Sequence, residues 1–259
     1  MGPIAQTARD CARLLTQISR PNVNDTWCTA SANEDYEAGL NGDLRGVRIG
    51  LPDSYYRENL DKEVSDALLA SLEVLRGRGA VLVKVEVPDM ARIHAMTARV
   101  MTVQAAAIHR EWLDTRPEDY ADQVRARIEP GLTHLAIDYV DAMRLQQALT
   151  DEYMQKCFAH CDLIHIPVLT VQTPTIASTT AGDTQTILNS IAHLTYANRA
   201  INYLGLPAMS VPAGMSSSGM PLAFQLVGRH FQEATLLNVA HSYQQDTSWH
   251  RMRPAASHN

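Results

Sequence analysis

Residues 44–87, LRGVRIGLPDSYYRENLDKEVSDALLASLEVLRGRGAVLVKVEV, decide the fold. VRIGL (47–51) reads as a buried strand, and Pro52 with Asp53 breaks it. Residues 61–78 carry helical periodicity, opened by Asp61 and closed by Gly79. AVLVKVEV (80–87) alternates as a strand does. Two strands joined by a helical crossover lie parallel in one sheet, with a right-handed connection.

The pattern continues outward in both directions. Upstream, residues 5–18 place Ala8, Cys11, Ala12, Leu15 and Ile18 on one helical stripe, and 20–43 form a polar loop. Downstream, 90–113 and 134–160 read as long helices, separated by a polar connection punctuated by Pro117, Pro130 and Gly131. DLIHIPVL (162–169) is a buried strand that exits into a Thr/Pro loop. Residues 187–203 are expected as one helix ended by Gly205 and Pro207. AMSVPAG (208–214) and LAFQLVG (222–228) are short apolar strands joined by a Ser/Gly turn. A closing amphipathic helix spans 232–245, with Ala234, Leu237, Ala240 and His241 near one face. There is no internal repeat and no long linker, so 1–259 is expected to be a single domain. The class is α/β, a mixed β-sheet covered by helices on both faces.

Composition narrows the function. Of 259 residues 46% are hydrophobic and 19% charged, which excludes a disordered or coiled-coil chain. A net charge of -6 argues against nucleic-acid and anionic-membrane partners, which want a basic face. Four cysteines make no disulfide framework, so the expected compartment is the reducing cytoplasm. No apolar run approaches membrane-spanning length.

The residues alone offer no catalytic centre. The nucleophile-elbow pattern G-x-S-x-G is absent, and Ser216, Ser217 and Ser218 lie between two apolar strands, where a tight turn belongs. Lysine can also activate a serine, but the three lysines, Lys62, Lys84 and Lys156, sit where solvated charges are expected. Cys157 and Cys161 share a helix face near His160 and His165, yet the spacing is not that of a structural zinc site. No metal and no organic cofactor is expected.

Five strings in order resemble the amidase signature family. They are GPIAQT (2–7) with Asp10, LRGVRIGLP (44–52), NYLGLPAMSVPAG (202–214), PLAFQLVGR (221–229) with Phe231, Glu233, Ala234 and Leu236, and the tail Trp249-His250. Gln6 departs from the arginine usual at that position. The resemblance implies the C-terminal part of an amidase-signature αβα fold, with 90–160 as the family's variable helical region. It implies a hydrolase that cleaves a small-molecule carboxamide through a Ser–cis-Ser–Lys signature, with no cofactor. In the family that signature precedes the G-P-x-A-R-T segment, so no catalytic residue is assigned here.

What the resemblance leaves to this chain is part of the sheet and a wall of the substrate pocket. Thr195, Asn198 and Asn202 are the substrate-binding candidates; capping the helix end and satisfying buried backbone groups is the alternative role for Asn198, Arg199 and Asn202. The partner expected is the N-terminal half of the family fold, or a second copy of the chain. The alternative reading is a non-catalytic binding or assembly subunit that pairs with a separate signature-bearing chain. An independent enzyme with another site is a third.

Overall fold

In the computed structural model, which describes residues 2–22, 24–26, 28 and 34–253, helix α1 (Ala8–Ile18) precedes the βαβ unit. Thr7 caps α1 by accepting from the Asp10 amide. The unit consists of β1 (Arg48–Pro52), α2 (Lys62–Gly77) and β2 (Val81–Val85). Asp61 caps α2, accepting from the Glu63 and Val64 amides. Gly79 turns the chain back at φ +99, where a Cβ would meet Arg45 Cγ at 2.9 Å. β1 and β2 then run parallel in register from Arg48 opposite Val81 to Pro52 opposite Val85.

Two long helices follow, α3 (Met90–Thr115) and α5 (Ala136–Cys157), with the short α4 (Asp122–Ile128) between them. β3 (Leu163–Pro167) leads to α6 (Ile176–Thr180), α7 (Thr184–Leu194) and α8 (Arg199–Leu204). The hairpin of β4 (Ala208–Met215) and β5 (Pro221–Gly228) comes next, and helix α9 (Glu233–Asp246) packs after it. Among the described residues the sheet has five strands in the order β2-β1-β3-β5-β4. β3 is parallel to β1, and β5 is antiparallel to both β3 and β4, so β4 ends the sheet as an edge.

β3 is buried throughout, and its alternation separates two cores. Ile164 and Ile166 pack with Ile93, Tyr153, Phe158 and Ile201 under α3, α5 and α8. Leu163 packs on the other face with Ile49, Leu68, Phe224 and Tyr243 beneath α2 and α9. This is the expected mixed sheet covered on both faces. No helix of the described residues is long and apolar enough to cross a membrane.

Four expectations need correction. The single helix over 187–203 is two, α7 and α8, because Thr195 caps α7 and the Asn198 side chain is drawn to the Val168 carbonyl. The polar connection 117–131 contains α4, whose Ile128 is buried against Ala106 and Leu113. Ile18 lies on the stripe of α1 but is 57% exposed, because that face is covered at Ala8, Cys11 and Ala12 and not at the helix end. On α9 the buried face is Leu236, Leu237, Val239, Ala240 and Tyr243, with His241 at its margin. Part of the loop expected over 20–43 lies outside the described residues.

Candidate functional site

The open edge at β4 borders a cavity of about 1160 Å³. Its walls are the segment 2–8, the end of α8, β4, the start of β5 and residues 249–253. Two terminal segments are tied together there: Gln6 Nε2 donates to the His250 carbonyl at 2.8 Å, and the Ala8 amide donates to Gln244 Oε1 at 2.9 Å. Gln6, the departure from the family string, is thus a structural link between the two ends of the chain.

Asn198 and Asn202 both line this cavity, and Thr195 does not. Asn198 is engaged at both ends. Its Nδ2 donates to the Val168 carbonyl at 2.9 Å, and its Oδ1 accepts from Gln225 Nε2 at 2.5 Å. Asn202 is exposed, and its side chain makes no hydrogen bond. Thr195 ends α7: its hydroxyl donates to the Ile191 carbonyl at 3.2 Å and accepts from Arg199 Nη2 at 2.7 Å.

Two further lining residues carry unspent polar atoms. Gln225 is 7% exposed, and its Oε1 is buried without a hydrogen-bond partner; the same holds for His250 Nδ1. Burial first, then Arg251, lowers the His250 pKa, favouring the neutral ring. Both are buried polar atoms left without a partner beside an otherwise largely apolar space. Sequence reasoning passed over Gln225 as a site residue. Its one signal was a lone amide inside the apolar strand LAFQLVG.

The other residues singled out in the sequence have structural roles here. Ser216–Gly219 close the β4–β5 hairpin, with the Ser216 amide donating to the Met220 carbonyl at 2.8 Å, and the Ser217 hydroxyl donates to Glu63 at 2.6 Å. None of the three lysines lines the cavity. Lys62 and Lys156 pair with Asp66 and Glu152 on their own helices. Burial pushes the Cys157 thiol up to about 12 and the Cys161 thiol to about 11, so both stay protonated and pack as small apolar groups. Cys161 Sγ donates to the Cys157 carbonyl at 3.0 Å.

A mixed sheet with helices on both faces defines an α/β protein, and a largely apolar cavity lies at its open β4 edge. The chain belongs to the amidase family: the family model described as Amidase matches residues 1–237. It is 34% identical over 277 residues to a glutamyl-tRNA(Gln) amidotransferase subunit from Neisseria meningitidis serogroup C, covering 98% of this chain and 56% of that protein. The solved glutamyl-tRNA(Gln) amidotransferase subunit from Thermotoga maritima superposes with a TM-score of 0.68 at 25% identity, over 95% of this chain and 52% of that one. The structure of 6-aminohexanoate cyclic dimer hydrolase complexed with substrate superposes with a TM-score of 0.82 at 24% identity, covering 96% and 55%, and shows the same fold. The chain thus spans about half the length of the relatives it matches.

Proposed function

We propose that the chain is the C-terminal part of an amide (C–N) hydrolase, supplying five strands of the sheet and one wall of the substrate pocket. The observation that carries this reading is the cavity of about 1160 Å³ along the outer edge of β4, with which no strand of the described residues pairs. In the family the Ser–cis-Ser–Lys signature supplies nucleophile and base, and here it is to come from polypeptide seated on that edge. A small-molecule amide then lies in the cavity, where Asn202 and the free acceptor of Gln225 meet its polar groups. Asn198 fixes Gln225 in place, and Thr195 fixes the α7–α8 corner behind them. Chemistry by acyl transfer to serine uses no metal or organic cofactor. Four cysteines with no disulfide among the described residues suit a cytoplasmic location.

The chain alone is expected to be inactive, because nucleophile, base and oxyanion donors together supply most of the acceleration in acyl transfer. The test assays it against small aliphatic and aromatic amides, alone and co-expressed with the signature-bearing half of a relative. Turnover only in the mixture supports the reading. Turnover by the chain alone that disappears in Ser217→Ala overturns it.

A further inference from the structure

Adjacent parallel strands β1 and β3 send the chain to opposite faces of the sheet. After Pro52 it leads into α2, over the core of Phe224 and Tyr243. After Pro167 it leads to α8, on the face of α3 and α5. In open α/β sheets the crevice outside the carboxyl ends of such strands is where ligands bind. Its two walls meet here. The Asp61 amide donates to the Thr170 carbonyl at 2.9 Å, and the Tyr55 ring stacks on Tyr196 with centroids 4.5 Å apart.

Arg57 stands on the β1 wall, half-buried. Its Nη2 has only long contacts, 3.5 Å to His165 Nδ1 and 3.4 Å to the His165 carbonyl, and its Nε is buried with no partner at all. Burial lowers its pKa with no acidic group to offset it. The ring it faces is neutral. Ser71 donates its hydroxyl to the Leu68 carbonyl at 2.7 Å, so it accepts from His165 Nε2–H at 2.9 Å, leaving the Nδ1 lone pair toward Arg57. Asp61 is engaged by the amides at the start of α2 and by Gln172, and Glu63 by Ser217. By contrast, the partly buried Arg229 donates to the carbonyls of Phe158 and Cys161.

The backbone around Arg57 is also unusual. Tyr55 at φ 55 and Asn59 at φ 54 both lie in the left-handed region, which is uncommon for a tyrosine. Such conformations persist where the surroundings impose them, and they gather at ligand clamps. Arg57 is absent from the lining of the β4 cavity.

We propose that Arg57 is the receptor of a second ligand site, at the β1–β3 switch point and separate from the β4 cavity, and that it takes the carboxylate of a small organic molecule. A guanidinium matches a carboxylate in shape and charge. The planar fork of this one guanidinium pairs one planar carboxylate group, whereas a phosphate dianion is better met by more than one cation.

The test is calorimetric titration of the full 259-residue chain with succinate, succinamide and inorganic phosphate at matched ionic strength. Saturable one-site binding of succinate, none of succinamide, and affinity at least about tenfold weaker in Arg57→Gln support the proposal. An intermediate loss in Arg57→Lys, which keeps the charge without the fork, supports it further. Equal binding of succinamide, no saturable succinate binding, or unchanged affinity in Arg57→Gln overturns it. Should Arg57→Gln not fold, the comparison of succinate with succinamide on the unaltered chain decides alone. Tighter binding of phosphate than of succinate overturns the choice of carboxylate. Loss of succinate binding when the chain is paired with the signature-bearing half overturns the small-molecule source in favour of a protein carboxylate.

Discussion

Gln225 donates to Asn198 at 2.5 Å, across the gap between strand β5 and the corner before α8. Since Asn198 also donates to the Val168 carbonyl, one side chain joins the segment after β3 to the neighbouring strand. Its removal leaves a buried amide unpaired on Gln225, whose other polar atom already lacks a partner. Asn198→Ala is therefore expected to lose about 1–3 kcal/mol of stability by denaturant unfolding. Asn202→Ala, on an exposed side chain without hydrogen bonds, should leave stability within about 0.5 kcal/mol. If the proposed signature-bearing half restores amide turnover, Asn202→Ala should raise its KM more than it lowers kcat. An unfolding midpoint that moves more for Asn202→Ala than for Asn198→Ala contradicts this division of roles.

The same pair marks how far sequence could be read. All five strands are legible because each is a short apolar run bounded by Gly, Pro or Asp, and α2 because Asp61 and Gly79 punctuate it. The break between α7 and α8 is not legible: it is set by Asn198 reaching Val168, thirty positions away, and local periodicity carries no trace of that. Helix α4 is hidden because Pro117, Pro130 and Gly131 look like loop punctuation, while its burial rests on Ala106 and Leu113 of another helix. Family membership was legible from the motif strings. The free acceptor of Gln225 and the uncompensated charge of Arg57 were not, since a single polar residue shows its partners only in three dimensions.

His165 gives a pH dependence. It is fully buried, and burial, reinforced by Arg57, lowers its pKa from 6.5 to about 3. The unfolded chain thus binds a proton below pH 6.5 that the folded chain refuses until about pH 3. Stability is complete above 6.5 and falls as pH drops through this window, by up to about 1.4 kcal/mol per unit. His94, His241 and His250 are lowered too and act in the same direction. Unfolding free energies measured from pH 7 to 4 should show a shallower slope in His165→Gln than in the unaltered chain; equal slopes refute the assignment.

Gly50 in β1 is dictated by packing between strands. A Cβ there would lie 2.6 Å from Cys161 Sγ and 2.9 Å from Ile164 Cγ2. Gly50→Ala is expected to cost about 1–3 kcal/mol through overpacking. Cys161→Ala removes the nearer obstacle, so the double variant should be more stable than the sum of the two single losses predicts. Thermal or urea unfolding of the four proteins closes the cycle, and strict additivity would show that Sγ is not the limiting contact.

The edge of β4 supports the last prediction. Its residues Ala208, Ser210 and Met215 are exposed, and Met220, Trp249 and Met252 nearby are exposed large apolar groups. An unpaired edge beside apolar surface invites another strand. The isolated chain is therefore expected to self-associate or to bind a hydrophobic dye, and to become monodisperse when the signature-bearing half covers the edge. Ser210 lines the cavity on that edge, so Ser210→Lys places a charge on the surface proposed to receive the other half. Its own melting temperature should stay within about 2 °C of the unaltered chain, because the side chain is exposed. Complementation with the other half should be lost, read both as the co-purified fraction and as amide turnover. A monodisperse chain that binds no dye, or full complementation by Ser210→Lys, would place the joining surface elsewhere on the sheet.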